Sequence, residues 1–153
     1  MHEAGASNLY PIFLFFHSLL RWAIILTTAV AGFSALAGWL RKGPVITWQR
    51  AMAIWAMVLC HVQLVIGFGL YIMRFQGFAY MPADQARYWK FEHLGMMLVV
   101  IALVTIGRIA SKNARTEGGK QQRVAIFYLL ALVVMLAMIP WPFTNMGEGR
   151  EWL

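Results

Sequence analysis

Trp89-Lys90-Phe91-Glu92-His93-Leu94-Gly95-Met96-Met97 opens an apolar run that meets no further charge until Arg108. Read from Tyr88 to Ala110, it is long enough to cross a hydrocarbon layer about 30 Å thick as a helix rising 1.5 Å per residue. It also places His93 about one turn inside that helix. An ionisable side chain at such a depth is costly, and by default it marks a functional site.

Three more stretches have the same character. Spans are expected at Tyr10 to Leu40, Trp48 to Arg74, Tyr88 to Ala110 and Val124 to Trp141. The whole chain of 153 residues is 61% apolar and only 12% charged, outside the range of soluble domains. The expected fold is therefore an all-α integral membrane protein, a single domain forming an up-and-down bundle of four transmembrane helices. The first apolar run is too long for a signal-peptide core and leads into Arg41-Lys42 rather than a cleavage site, so it is expected to stay as a span.

Net charge is +7, which in a soluble protein would suggest nucleic acid. Its distribution points instead to topology. Arg41, Lys42, Arg50, Arg108, Lys112, Arg115, Lys120 and Arg123 fall on one side of the four spans with only Glu117. Arg21, Arg74, Arg87, Lys90 and Arg150 fall on the other, balanced by Glu3, Asp84, Glu92, Glu148 and Glu151. This is a positive-inside pattern that puts both termini and the Phe75 to Arg87 loop outside the cytoplasm. The basic loops read as topology signals rather than as a site for acidic partners, and no nucleic-acid role is expected.

Asn8 and Pro11 mark a helix start, with Met1 to Leu9 as a lead-in. Trp22 and Trp39 are placed as interface anchors, and Tyr128 as an interfacial residue of a span that otherwise forms a wall. Phe75 to Arg87, rich in aromatics, suits a flap shaping a site. Asn113 to Gln122 reads as a polar turn, and Pro140-Trp141-Pro142-Phe143 stops the last helix. The tail from Thr144 to Leu153 is expected to lie back on the surface.

The first three spans carry one histidine each: His17, His61 and His93. Neutral imidazole is a good iron ligand, and helix bundles build haem sites from side chains on facing helices. Counted from the basic ends, His61 lies near mid-membrane, His93 roughly 9 Å further out and His17 roughly 7 Å beyond that. In an up-and-down bundle the first and third spans are diagonal, which favours His17 with His93 as iron ligands and leaves His61 as the alternative ligand or a pocket residue. Arg21, one turn from His17, and Arg74, Arg87 or Lys90 are candidate partners for haem propionates. Gly67 and Gly69 allow close approach of a backbone or a flat ligand. Met96 and Met97 read as packing. Cys60 precedes His61, but Met57 stands where covalent attachment would need a second cysteine, so a haem would be held non-covalently.

Phe16-His17-Ser18-Leu19-Leu20-Arg21-Trp22, His61-Val62-Gln63-Leu64 with Gly67 and Tyr71, Glu92-His93 with Met96-Met97 and Gly107-Arg108, and Ile139-Pro140-Trp141-Pro142-Phe143 together resemble small four-helix membrane proteins of Bacteroidetes-type bacteria labelled cytochrome b. The resemblance covers nearly the whole chain and implies a b-type haem in a respiratory setting. A looser one is to the HemJ-type protoporphyrinogen oxidases, which have a histidine in the first span and a lysine early in the third. The matching third-span position here is His93, with Lys90 one turn earlier, so that parallel makes His17 the shared haem ligand.

The functional expectation is a haem b protein of the bacterial inner membrane, passing electrons as a subunit or satellite of a respiratory, quinol-oxidising complex. Its partners would be the bilayer, other membrane subunits and a quinone. Two competitors stand beside it: a protoporphyrinogen oxidase using the same pocket, and a cofactor-free accessory subunit whose histidines bond to neighbouring helices.

Overall fold

The computed structural model describes residues 3–144, with side chains from residue 9 onward; the expectations for the tail beyond Thr144 lie outside the described residues. Helix α1 runs Glu3–Leu40 and α2 runs Thr47–Arg74. A 3₁₀ turn, Phe75–Tyr80, and a short helix α3, Ala83–Arg87, follow. A π-helical segment, Tyr88–Glu92, then leads directly into α4, His93–Lys112, and the last helix is α5, Glu117–Met138. Among the described residues there is no strand, and four helical stretches are long and apolar enough to cross a membrane.

Helix α1 packs on α2 and α5, and α4 packs closely on α5 and more lightly on α2. The four long helices thus form a ring, with α1 and α4 across one diagonal. The interior is built from small residues, with Ala31, Ala35, Ala53, Ala56, Ala125 and Ala131 all buried. Large apolar side chains face outward instead, among them Val65 at 72% exposure, Leu26 at 65% and Val133 at 63%. Small residues inside and large ones outside is the packing of helices in lipid, where close backbone approach supplies the attraction. A soluble domain would leave no such apolar surface bare.

Several boundaries differ from the sequence expectation, each for a local reason. Helix α1 begins at Glu3 rather than near Pro11, and Pro11 lies inside it. The third span begins at Ala83 rather than Tyr88, because α3 and the π segment join α4 without a break. Most of the expected flap is therefore helical, with Phe78 of the 3₁₀ turn buried. The polar turn expected over Asn113 to Gln122 shrinks because Thr116 starts α5 early: its hydroxyl accepts from the Gly119 amide at 3.1 Å. Tyr128 is not interfacial. It is fully buried, and its hydroxyl donates to the Ala53 carbonyl at 2.6 Å, tying α5 to α2.

The α1–α2 connection closes with a Schellman pair. The Gly43 amide donates to the Gly38 carbonyl at 3.0 Å and the Lys42 amide to Trp39 at 3.1 Å, with Lys42 itself in the left-handed region at φ 53°.

Candidate cofactor pocket

The end of the bundle where α1 starts and α5 stops is where the polar groups converge. Helix α5 is followed by Pro140 and Pro142, which have no amide hydrogen, so the carbonyls four residues earlier, Leu136 and Met138, lose their helical donors. Side chains replace both. The Trp141 indole donates to Leu136 at 2.9 Å, and the Tyr88 hydroxyl donates to Met138 at 2.7 Å. Nδ1 of His93 also lies 3.4 Å from the Met138 carbonyl, the geometry of a weak second donor.

The π segment sets this up. Tyr88 and Trp89 close it against His93, with ring centroids 5.9 Å and 5.4 Å from the imidazole. Single π turns inside longer helices re-aim side chains and recur at functional sites.

Across the diagonal stands His17 on α1. Its ring centroid is 6.5 Å from that of His93, with the planes at 65°. Gly67 on α2 makes room for it, since a Cβ there would come within 2.9 Å of Cε1. Gln63, on the same helix, donates its amide to the His17 carbonyl at 2.7 Å. Nδ1 of His17 and Oε1 of Gln63 are buried with no hydrogen-bond partner among the described residues. Buried polar atoms in that state are uncommon and point to a missing partner.

Both histidines line one cleft, with a cavity volume of about 180 Å³, open on one side. Arg21, Gln63, Arg74 and Trp89 add polar edges, while Ile24, Cys60, Val100 and Met135 form an apolar floor. Arg21 lies beside Trp22, its guanidinium carbon 5.4 Å from the ring centre, and Arg74 lies over Tyr10 at 5.3 Å.

Of the residues singled out in the sequence, His17, His93, Arg21 and Arg74 meet here. His61 does not line the cleft. It is exposed, and its Nδ1 lies 2.8 Å from the Met57 carbonyl of its own helix, because the face that turns Cys60 and Gln63 inward turns position 61 outward. Arg87 is also elsewhere, exposed and paired with Glu92 at 2.7 Å. Met97 lines the cleft and Met96 does not.

Sequence reasoning gave no role to Trp89 or Tyr88, whose signal was their place one turn before His93. Gln63 enters the sequence reading only within the His61-Val62-Gln63-Leu64 segment, which gives no sign of its hold on the His17 backbone. No cluster of three or more histidine, cysteine or acidic side chains suited to a bare metal ion occurs among the described residues. Comparison with protein families, with curated proteins and with solved structures finds no match to this chain.

Proposed function

We propose that the protein binds one haem b between His17 and His93 and serves single-electron transfer as a subunit or satellite of a respiratory, quinol-oxidising complex in the bacterial inner membrane. The observation carrying this reading is the 6.5 Å separation of two imidazoles from diagonal helices at one cleft. His17 and His93 would be the residues to hold the group, and bound iron would take neutral imidazole as a ligand.

The orphaned Nδ1 of His17 and the apolar floor fit such a group, and Arg21 and Arg74 at the edge of the cleft would take its carboxylates. Bound haem would supply a one-electron couple. His93 would be one residue to hold the group, and a weak Nδ1 contact to the Met138 carbonyl at 3.4 Å would help to orient its ring. Trp89 and Tyr88 pack against that ring. By the positive-inside rule the cleft faces the non-cytoplasmic side with both termini. A single redox group at that end cannot carry charge across the whole bilayer, so a partner with further cofactors, or a quinone, completes the path.

A cofactor-free accessory role accounts for the His93–Met138 contact, but it leaves the buried Nδ1 of His17 with no hydrogen-bond partner among the described residues. The deciding experiment is the absorption spectrum of purified protein before and after dithionite. Reducible Soret and α bands are expected, lost in His17→Ala and His93→Ala and kept in His61→Ala. Absence of the bands from protein made with ample haem would end the proposal. Rescue of porphyrin oxidation in a deficient strain would transfer the pocket to the oxidase reading.

A further inference from the structure

A second cleft lies at the opposite end of the bundle, between α2, α4 and α5, with a cavity volume of about 250 Å³. Four cations line it, Arg50 from α2, Arg108 and Lys112 from α4, and Lys120 from α5. Folding thus gathers charges that the sequence scatters over 71 positions, from 50 to 120. The acid at this end is Glu117, and it is engaged: it accepts from the Val45 amide at 2.9 Å and pairs with Lys120. Among the described residues, Arg50, Arg108 and Lys112 have no carboxylate within ion-pair distance.

The wall of the cleft is also fixed. Gln121 is 2% exposed and donates its amide to the Pro44 carbonyl at 3.0 Å, while its Oε1 is buried with no partner among the described residues. A site with several cations and an unmet acceptor suits an oxyanion that also carries a hydroxyl. Gln49 and Ser111 add polar groups to the lining, Val45 of the α1–α2 connection is apolar, and the buried Ala35, Ala53 and Val124 close the inner side.

We infer that this cleft binds the phosphate of an anionic phospholipid bearing a hydroxylated headgroup, the hydroxyl reaching Gln121 and the phosphate held by Arg50, Arg108 and Lys112. The shared chemistry is a phosphate oxyanion, and a lipid is the source because the cleft sits at the ends of membrane-length helices, where headgroups lie. Basic pockets between transmembrane helices are suited to such headgroups.

The test uses full-length protein in nanodiscs or detergent, titrated with phosphatidylglycerol, with phosphatidylcholine, and separately with soluble glycerol phosphate, followed by native mass spectrometry. Phosphatidylglycerol is expected to bind preferentially. Arg50→Gln with Arg108→Gln should weaken it by about fivefold per charge removed. Arg50→Lys with Arg108→Lys should restore most of the affinity, and Arg41→Gln with Lys42→Gln, which removes equal charge outside the cleft, should leave it unchanged. Equal loss in the control pair, equal binding of phosphatidylcholine, or equally tight binding of soluble glycerol phosphate would each overturn the assignment. Circular dichroism of each variant guards against misreading a folding failure as lost binding.

Discussion

Gly67 and His17 are fitted to one another across the α1–α2 interface: the space a Cβ would take at Gly67 is within 2.9 Å of the imidazole Cε1. The ring's position therefore depends on the absence of a side chain on the facing helix. Gly67→Ala should leave helical content unchanged or slightly higher, since alanine favours helix by about 1 kcal/mol over glycine. It should nevertheless displace His17 and shift or abolish the absorption bands. Gly69→Ala, whose Cβ would meet Phe13 at 3.3 Å, is the milder control. Unchanged spectra in both would show that His17 does not ligate from this position.

Tyr88 and His93 both face the Met138 carbonyl. In Tyr88→Phe the stronger donor is gone and the imidazole becomes the main one, so its Nδ1–H bond should tighten. A ligand donating more strongly pushes more electron density to iron. The expected result is a lower midpoint potential in a redox titration, with a stability loss of about 1 kcal/mol. A potential that stays put or rises would refute this coupling.

Pro140 keeps the Leu136 carbonyl open for the Trp141 indole. Pro140→Ala supplies an amide that can take that carbonyl in the regular helical pattern. The indole should then leave, and Trp141 should part from Trp22, now 5.9 Å away between ring centres. Tryptophan fluorescence and its quenching by a polar quencher give the readout, and quenching should increase.

Gly38 lies against Gln121, where an added Cβ would come within 2.4 Å of the side-chain amide. Gly38→Ala should destabilise the bundle by about 1–3 kcal/mol through overpacking. Tyr128→Phe should cost about 1 kcal/mol, because the hydroxyl bonded to Ala53 is lost while that carbonyl keeps its helical partner. Thermal unfolding in detergent would rank the two, with Gly38→Ala the lower.

Much of the fold was legible because lipid crossing imposes a length and a composition. The second span was read to within a residue at its start, Trp48 against Thr47. The fourth was misplaced at its start by seven residues, from Val124 to Glu117, because a polar first turn capped by Thr116 looks like loop to any hydropathy reading. The third was misplaced by five, from Tyr88 to Ala83, because the π segment carries the helix through the charges at Arg87, Lys90 and Glu92.

Of the candidate site, the spacing of His17 and Arg21 by one turn was enough to put both on one face, and both line the cleft. The depth count set His17 roughly 7 Å beyond His93 along the membrane normal, and the two ring centroids are 6.5 Å apart. Counting residues puts each side chain at the level of its own Cα, whereas helical side chains lean toward the helix N-terminus.

Composition and periodic length, by themselves, determined that this chain makes four membrane-length helices with an uneven distribution of charge between their ends, since those features follow from one-dimensional solvation requirements. Which face each helix turns inward was decided only in three dimensions. The rotation of α2 that brings Gly67 and Gln63 against His17 also carries His61 to the outside, and it is set by small-residue packing that leaves no mark in hydropathy. The Met138 carbonyl that meets His93, and the cleft that draws Arg50, Arg108, Lys112 and Lys120 together, likewise exist only because distant segments pack side by side.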